Sequence, residues 1–163
     1  MIILGIDPGL SGAFVWLQPA NANGPLTILA CEDMPTYETK VGTGVRRRID
    51  LDGVWNLLHR NMANVVVMET LGVRPGSGSP SVSQTGRGYG QIEGLLRGVG
   101  LRPLYVTPKD WKKGMRLATA ATKDDSRELA KRHFQTSVNL FARKKDDGRA
   151  EAALIALYGS RLP

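Results

Sequence analysis

The sequence predicts an α/β protein: a mixed central sheet, an antiparallel three-strand meander plus parallel strands, flanked by helices. Three observations predict it. Three strand-sized apolar segments follow one another near the N-terminus with only short turns between them. Further apolar strands then alternate with segments of helical period. The 163 residues, 42% of them hydrophobic and 23% charged, suffice for one sizeable core, so a single domain is expected over 1–163.

The elements follow in order. "IILGI" (2–6) is an apolar run stopped by Asp-Pro-Gly, a buried strand and a turn. "GAFVWLQ" (12–18) is the second strand, and "PANANGP" turns the chain into the third, "LTILACE" (26–32). Residues 36–49, ending in "GVRRRI", read as a basic, Gly-containing loop. Asp50 is placed to cap a helix carrying Leu51, Val54, Trp55 and Leu58. "NVVVME" (64–69) is a strand of the kind buried on both faces. Residues 70–90 are rich in Gly, Ser and Pro without a hydrophobic period and read as a long mobile loop. A helix with Ile92, Leu95, Leu96 and Val99 and a strand "PLYVT" (103–107) come next. Pro108 opens a helix, Thr122 caps "KDDSRELAKRHF", and from Ala150 an amphipathic helix closes the chain through Leu154, Leu157 and Tyr158. Trp16, Trp55 and Trp111 read as core residues.

Composition narrows the function. Twenty-two Lys and Arg against fifteen Asp and Glu give a formal net charge of +7, which favours nucleic acid or other anionic partners. One cysteine, Cys31, excludes an internal disulfide and a cysteine-based metal site and fits a reducing, intracellular setting. No run approaches the length of a membrane span, and the N-terminus lacks the pattern of a signal peptide.

The acids are the informative residues. Asp7 ends the first strand, Glu69 ends the fourth, and Glu151 lies on the apolar face of the last helix, where an unpaired carboxylate is costly. If strands one and four are neighbours, Asp7 and Glu69 emerge at one sheet edge, and a helix across that edge brings Glu151 to the same point. Gathered carboxylates repel, and a hard divalent cation such as Mg²⁺ relieves them. Asp147 is only ~40° from Glu151 around a helix, whereas Asp146 is ~140° away unless it precedes the helix. Asp147 is preferred as the fourth ligand and Asp146 stays open. Each acid has a plainer explanation alone: a turn cap at Asp7, a solvated strand end at Glu69, a helix cap at Asp147. Their joint placement carries the case.

"ILGIDPGLSGA", "VVMET" and "KKDDGRAEAALIALYG" resemble the RuvC-type Holliday-junction resolvases of the RNase H-like superfamily. "GVRRRID", "GRGYG", "TPKDWKK" and "TKDDSRELAKRHF" bring the likeness closer to the plant chloroplast and phage RuvC-like resolvases. The resemblance spans nearly the whole chain. It implies an RNase H-like fold and a homodimeric nuclease that uses Mg²⁺ or Mn²⁺ to nick two opposed strands of four-way junction DNA. It gives Asp7, Glu69 and Glu151 metal-ligand and catalytic roles, joined by Asp147 or Asp146. Lys112 and Lys123 match in spacing two lysines that relatives place near the scissile phosphate, and Lys123 is read as catalytic. The sequence departs from the bacterial pattern at Gly148, which stands where the penultimate ligand is expected. It departs again at 70–73, Thr-Leu-Gly-Val, where an aromatic wedge is expected. A cytoplasmic setting follows, or a host-cell cytoplasm for a phage protein, with an organellar origin also compatible.

Arg46, Arg47 and Arg48, with Arg87, Lys112, Lys113 and Lys123, form the expected DNA-binding set. His59 and His133 lack metal-ligand spacing and read as helix-surface or core residues. "GRGYG" lacks the spacing and the preceding strand of a dinucleotide site. A sugar-kinase or actin-like ATPase would need two lobes, more than this length allows. A non-catalytic junction-binding protein, or another RNase H-like nuclease acting on RNA or an RNA/DNA hybrid, are the competing readings. Cutting two strands in fixed relation calls for a C2 homodimer. The helix with Ile92, Leu95, Leu96 and Val99 is the expected interface, since Gly90, Gly94 and Gly98 recur every four residues. Equally, its apolar face could pack on the protein's own sheet.

Overall fold

The chain runs through β1 (Ile3–Asp7), β2 (Ala13–Pro19), β3 (Leu26–Asp33), β4 (Thr36–Val41), β5 (Gly44–Ile49) and α1 (Leu51–Arg60). β6 (Val65–Glu69), α2 (Ser79–Gly98), β7 (Pro103–Val106), α3 (Pro108–Gly114) and α4 (Lys123–His133) follow. After two 3-10 segments, Gln135–Phe141 and Lys144–Asp146, α5 (Asp147–Gly159) closes the chain. The computed structural model describes all residues but Asn23, 73–78, Thr119 and Pro163, and all side chains among them but those of 79–81.

Five strands form the main sheet in the order β3-β2-β1-β6-β7. β1 pairs antiparallel with β2, and β2 with β3, while β1, β6 and β7 are parallel. This is the expected meander plus parallel strands. Period-two alternation sends Ile3, Val15, Leu17 and Val67 to one face, packed with α3, α4 and α5. Leu4, Ile6, Phe14, Trp16, Val66 and Met68 face the other way, against α1 and α2. Covered on both sides, the central strands need the continuous apolar runs the sequence shows.

The starts of α1, α3 and α4 are those expected. Asp50 accepts from the Gly53 N–H at 3.2 Å to cap α1. Thr107 caps α3 with Pro108 in the first turn, and Thr122 with Asp125 makes a capping box on α4. The final helix differs from the amphipathic reading. α5 lies between the sheet and α3 and α4, so Ala150, Ala152, Ala153, Leu154, Ile155 and Ala156 are all fully buried. Its approach to β1 is so close that a Cβ on Gly5 would stand 2.1 Å from the Ala152 carbonyl oxygen and 2.6 Å from the Ala156 nitrogen.

Three further expectations are corrected, and for the apolar face of α2 the packing within the chain is the alternative observed. Residues 36–49 are a β-hairpin, β4 paired with β5 and turned at Gly42, whose φ is +61°. The loop expected over 70–90 yields to α2 from Ser79 onward, and 73–78 lie outside the described residues. Trp16 and Trp111 are buried, but Trp55 is 42% exposed and lies against His59 with ring centroids 4.2 Å apart. Ile92 and Leu96 are fully buried on the protein's own sheet, so the apolar face of α2 is spent within the chain. Among the described residues no helix is long and apolar enough to cross a membrane.

The α5–β1 approach is testable. Gly5→Ala should cost at least about 1–3 kcal/mol of stability, because the obstacle is helix backbone that has no rotamer to yield. Urea denaturation of the two proteins measures it. Equal midpoints would mean that α5 rides further from β1 than described.

Candidate active site

Parallel pairing of β1 with β6 puts Ile6 beside Met68, so Asp7 and Glu69 leave the sheet together at one edge. α5 begins at that edge. Asp147 and Glu151 are one turn apart and share a face of it. Gly148 between them is the reason the helix can start there. A Cβ at 148 would stand 2.2 Å from the Ser11 carbonyl oxygen in the β1–β2 turn. The departure from the bacterial spacing at this position is therefore tied to close packing against the turn that follows Asp7.

Asp7, Glu69 and Glu151 are each shifted by burial and by neighbouring carboxylates. Burial pushes Asp7 up to about 6; Glu69 and Asp147 add repulsion, while the Gly9 N–H, donating to Oδ1 at 3.1 Å, and Lys123 oppose it. Burial also raises Glu69, countered by the Trp111 indole N–H that donates to Oε1 at 2.7 Å and reinforced by Glu151. Glu151 is raised by burial, then by Asp7, with the Lys112 Nζ 3.9 Å from its Oε1. Asp147 is 7% exposed and takes a hydrogen bond from Lys123.

Asp146 sits differently. It is 1% exposed and precedes α5, turned into Arg143, whose backbone N–H and Nη2 each donate to it at 2.8 Å. Burial alone would raise its carboxyl, but Arg143 outweighs that and holds it below the usual range. Arg149, one turn on, forks onto Asp33 at 2.6 and 2.8 Å and ties α5 to the end of β3. The structure thus brings Asp7, Glu69, Asp147 and Glu151 together and leaves Asp146 in a separate arginine clasp.

The basic residues divide as well. Strand alternation separates Arg47 from Arg46 and Arg48. Arg47, itself exposed, lies over the turn after Asp7, donating to the Leu10 carbonyl oxygen at 2.9 Å and to Ser11 Oγ at 2.8 Å. Arg48 lines a cavity of about 230 Å³ with Arg87, Gln84, Gln91 and Ser11. Arg46 and Lys113 are exposed. A neighbouring cleft is lined by Asp147, Lys123, Arg47 and Lys145. Sequence reasoning missed Lys145, the Arg143 and Arg149 clasps, and the bond from Trp111 to Glu69. Only Trp111 left a signal, as a large donor next to an implicated lysine.

Among the described residues no group of three or more Asp, Glu, His or Cys is drawn close enough to hold a metal ion as it stands. Lys123 and Lys112 instead neutralise the cluster from its sides. The donors are nonetheless all carboxylate oxygens, desolvated and mutually repelling, which is the chemistry a hard divalent cation satisfies. The residues fit a hard divalent cation.

Two structures of RuvC from Thermus thermophilus are similar to this chain, one of them in complex with Holliday junction substrate. They match 98% of this chain and 93% of their own, with TM-scores of 0.65 and 0.66 and identities of 15% and 17%. A Fowlpox virus resolvase in complex with substrate Holliday junction DNA matches over 100% of both chains at a TM-score of 0.54 and 16% identity. The chain has the RuvC-type, RNase H-like fold. No family model matches it, and no curated protein matches it by sequence. At such identities the RuvC fold is what is shared, and the chemistry must be argued from the residues at its edge.

The elevation of Asp7 has a consequence for stability. With a folded value of about 6 against an ordinary 3.8, folding favours the protonated carboxyl. That contribution is whole below about pH 3.8 and is lost as pH rises through about 6. Metal-free Asp7→Asn should therefore be more stable than wild type at pH 8, by about 1–3 kcal/mol, and the two should converge near pH 4. Denaturation curves at both pH values give the comparison. A variant no more stable than wild type at pH 8 would refute the burial of this charge.

Proposed function

We propose that the chain is a divalent-metal-dependent endonuclease that resolves four-way DNA junctions as a homodimer. The observation that carries this reading is the gathering of Asp7, Glu69, Asp147 and Glu151 at one edge of a RuvC fold, with Lys112 and Lys123 beside them. The likeness to RuvC and the Fowlpox virus resolvase, both seen with Holliday junction DNA, supports the substrate class.

Asp7, Glu69, Asp147 and Glu151 would hold the metal. When bound, Mg²⁺ supplies Lewis-acid stabilisation of the attacking and leaving oxygens of an in-line phosphodiester displacement. The chain's own residues do the rest. Half-buried or buried on rigid strand ends and a rigid helix, the four carboxylates fix where the cation charge sits. The Lys123 side chain is 68% exposed and can exchange its bond to Asp147 for a DNA phosphate. Lys112 is less exposed and stays beside Glu151, offsetting its charge. Arg46 and Arg48 share one face of the hairpin and suit backbone phosphates of an arm. Arg47 braces the turn after Asp7.

Two opposed strands need two such sites, hence a C2 dimer. Since Ile92 and Leu96 are committed to the core, the surface of α2 left for a partner is the exposed stripe of Gly90, Gly94 and Gly98. A Cβ at any of the three would meet nothing among the described residues, so a second helix can approach closely there.

The decisive experiment compares a labelled synthetic four-way junction with linear duplex, hybrid and single strand, with and without Mg²⁺. Metal-dependent, paired nicking of the junction alone is expected. Asp147→Asn should lose at least about a hundredfold in cleavage rate while still binding junctions, on the order of the several kcal/mol that metal catalysis supplies. Asp146→Asn should instead lower stability and leave the folded fraction active. The reverse ranking would make Asp146 the ligand.

Charge offers a second test. Neutralising Arg46 and Arg48 together should make the slope of log affinity against log salt shallower by about 2, at roughly 0.9 for each phosphate no longer neutralised. Stability should not change. An unaltered slope would place that hairpin face away from DNA.

A further inference from the structure

Trp111 is fully buried and gives its indole N–H to the carboxylate of Glu69 at 2.7 Å. Burial alone does not secure such a partner in this protein. Trp16, equally buried on the opposite face of the sheet, has no acceptor for its Nε1 among the described residues. The bond at Trp111 follows from how the chain is routed. β7 lies beside β6 with Val106 opposite Glu69, and the Thr70 N–H donates to the Val106 carbonyl oxygen at 2.8 Å. Thr107 then caps α3, accepting from the Asp110 N–H at 3.1 Å, and Pro108 sets its first turn. Five residues past its pairing with Glu69, the chain has turned back and Trp111 reaches the same glutamate. The next residue serves a second carboxylate. Lys112 lies 3.9 Å from Glu151 and 5.5 Å over the Trp111 ring.

We infer that Trp111 is a positioning residue: its N–H engages one oxygen of Glu69, fixing the carboxylate and leaving the second oxygen to the cation. The inference rests on the metal-dependent reading of the site above. An indole suits the task because it donates a hydrogen bond without carrying charge. A lysine or arginine in its place would hold Glu69 as firmly but would also neutralise it and compete with the metal. Outer-shell donors of this kind typically change metal affinity by about 10- to 100-fold when removed.

The test measures Mn²⁺ binding to the DNA-free protein by electron paramagnetic resonance of the free ion, so no turnover enters. Wild type should bind. Trp111→Phe, which keeps an aromatic ring but loses the N–H, should raise the Mn²⁺ dissociation constant by about tenfold or more. Trp16→Phe makes a similar cavity without breaking a hydrogen bond, and its Mn²⁺ affinity should stay at the wild-type level. Benzothienylalanine placed at position 111 retains the shape of Trp and lacks the donor. It should reproduce the loss, and it decides the matter if the Phe variant does not fold. Wild-type affinity in the benzothienylalanine protein, or an equal loss in Trp16→Phe, would overturn the positioning role. A wild-type protein that binds no Mn²⁺ would overturn the metal reading itself, a result distinct from either.

Discussion

Helix α5 crosses β1 at a distance that admits no side chain at Gly5, and the rest of the site depends on that contact. Because the two backbones nearly touch, the N-terminal turn of α5 has nowhere to go but the sheet edge where β1 ends. There it meets the turn after Asp7, again at a glycine, Gly148. Asp147 and Glu151 are thus set relative to Asp7 by backbone packing. Parallel pairing with β6 adds Glu69 on the same rigid footing. Arg149, forked onto Asp33, anchors the outer side of the helix start. Regular elements hold a constellation more exactingly than loops do, and all four carboxylates are on regular elements.

That arrangement works against the fold's own electrostatics. Burial raises Asp7, Glu69 and Glu151 together, and each is raised further by another member of the cluster. The protein offsets this with Lys123 on Asp147 and Lys112 near Glu151. A cluster that only needed to be stable would do better with apolar residues at these positions. Its presence at a strand edge beside a basic cleft is the physical argument that the cost is balanced by function. Asp146 shows the contrast: an acid with less exposed surface still, fully engaged by Arg143, whose carboxyl is lowered rather than raised.

What could be read from the sequence was what burial writes into it. The central strands β1, β2 and β6 are apolar runs because both faces are covered, and the caps at Asp50 and Thr122 and the helix start at Pro108 follow from side-chain chemistry alone. The hairpin was illegible for the opposite reason. β4 and β5 are largely exposed on both faces, so no apolar alternation marks them, and the paired backbone from Thr36 opposite Ile49 to Val41 opposite Gly44 holds them instead. The first half of α2 hid in the same way, as a helix of Gly, Ser and Gln without a buried stripe. Trp55 was misplaced because an aromatic at helical spacing looks like core, whereas its neighbour His59 on the next turn offers a stacking partner at the surface. The carboxylate site was legible in outline, since an acid on an apolar helix face has few explanations. The choice between Asp146 and Asp147 was not, because it turns on where α5 begins and on an arginine three residues upstream.

Strand alternation also changes how the basic charge is understood. A run of three arginines suggests one patch of +3, and the net charge of +7 encourages that view. On a hairpin the run is two charges facing one way and one facing the other. Arg47 is held by Leu10 and Ser11 and so belongs to the turn that carries Asp7. Arg48 joins Arg87 across the neighbouring cavity. The same sequence motif therefore does two jobs, bracing the carboxylate edge from one strand face and presenting cations from the other. A hairpin, unlike a loop, holds the two in fixed relation: its paired backbone sets Arg46 and Arg48 on one face and Arg47, over the turn that carries Asp7, on the other.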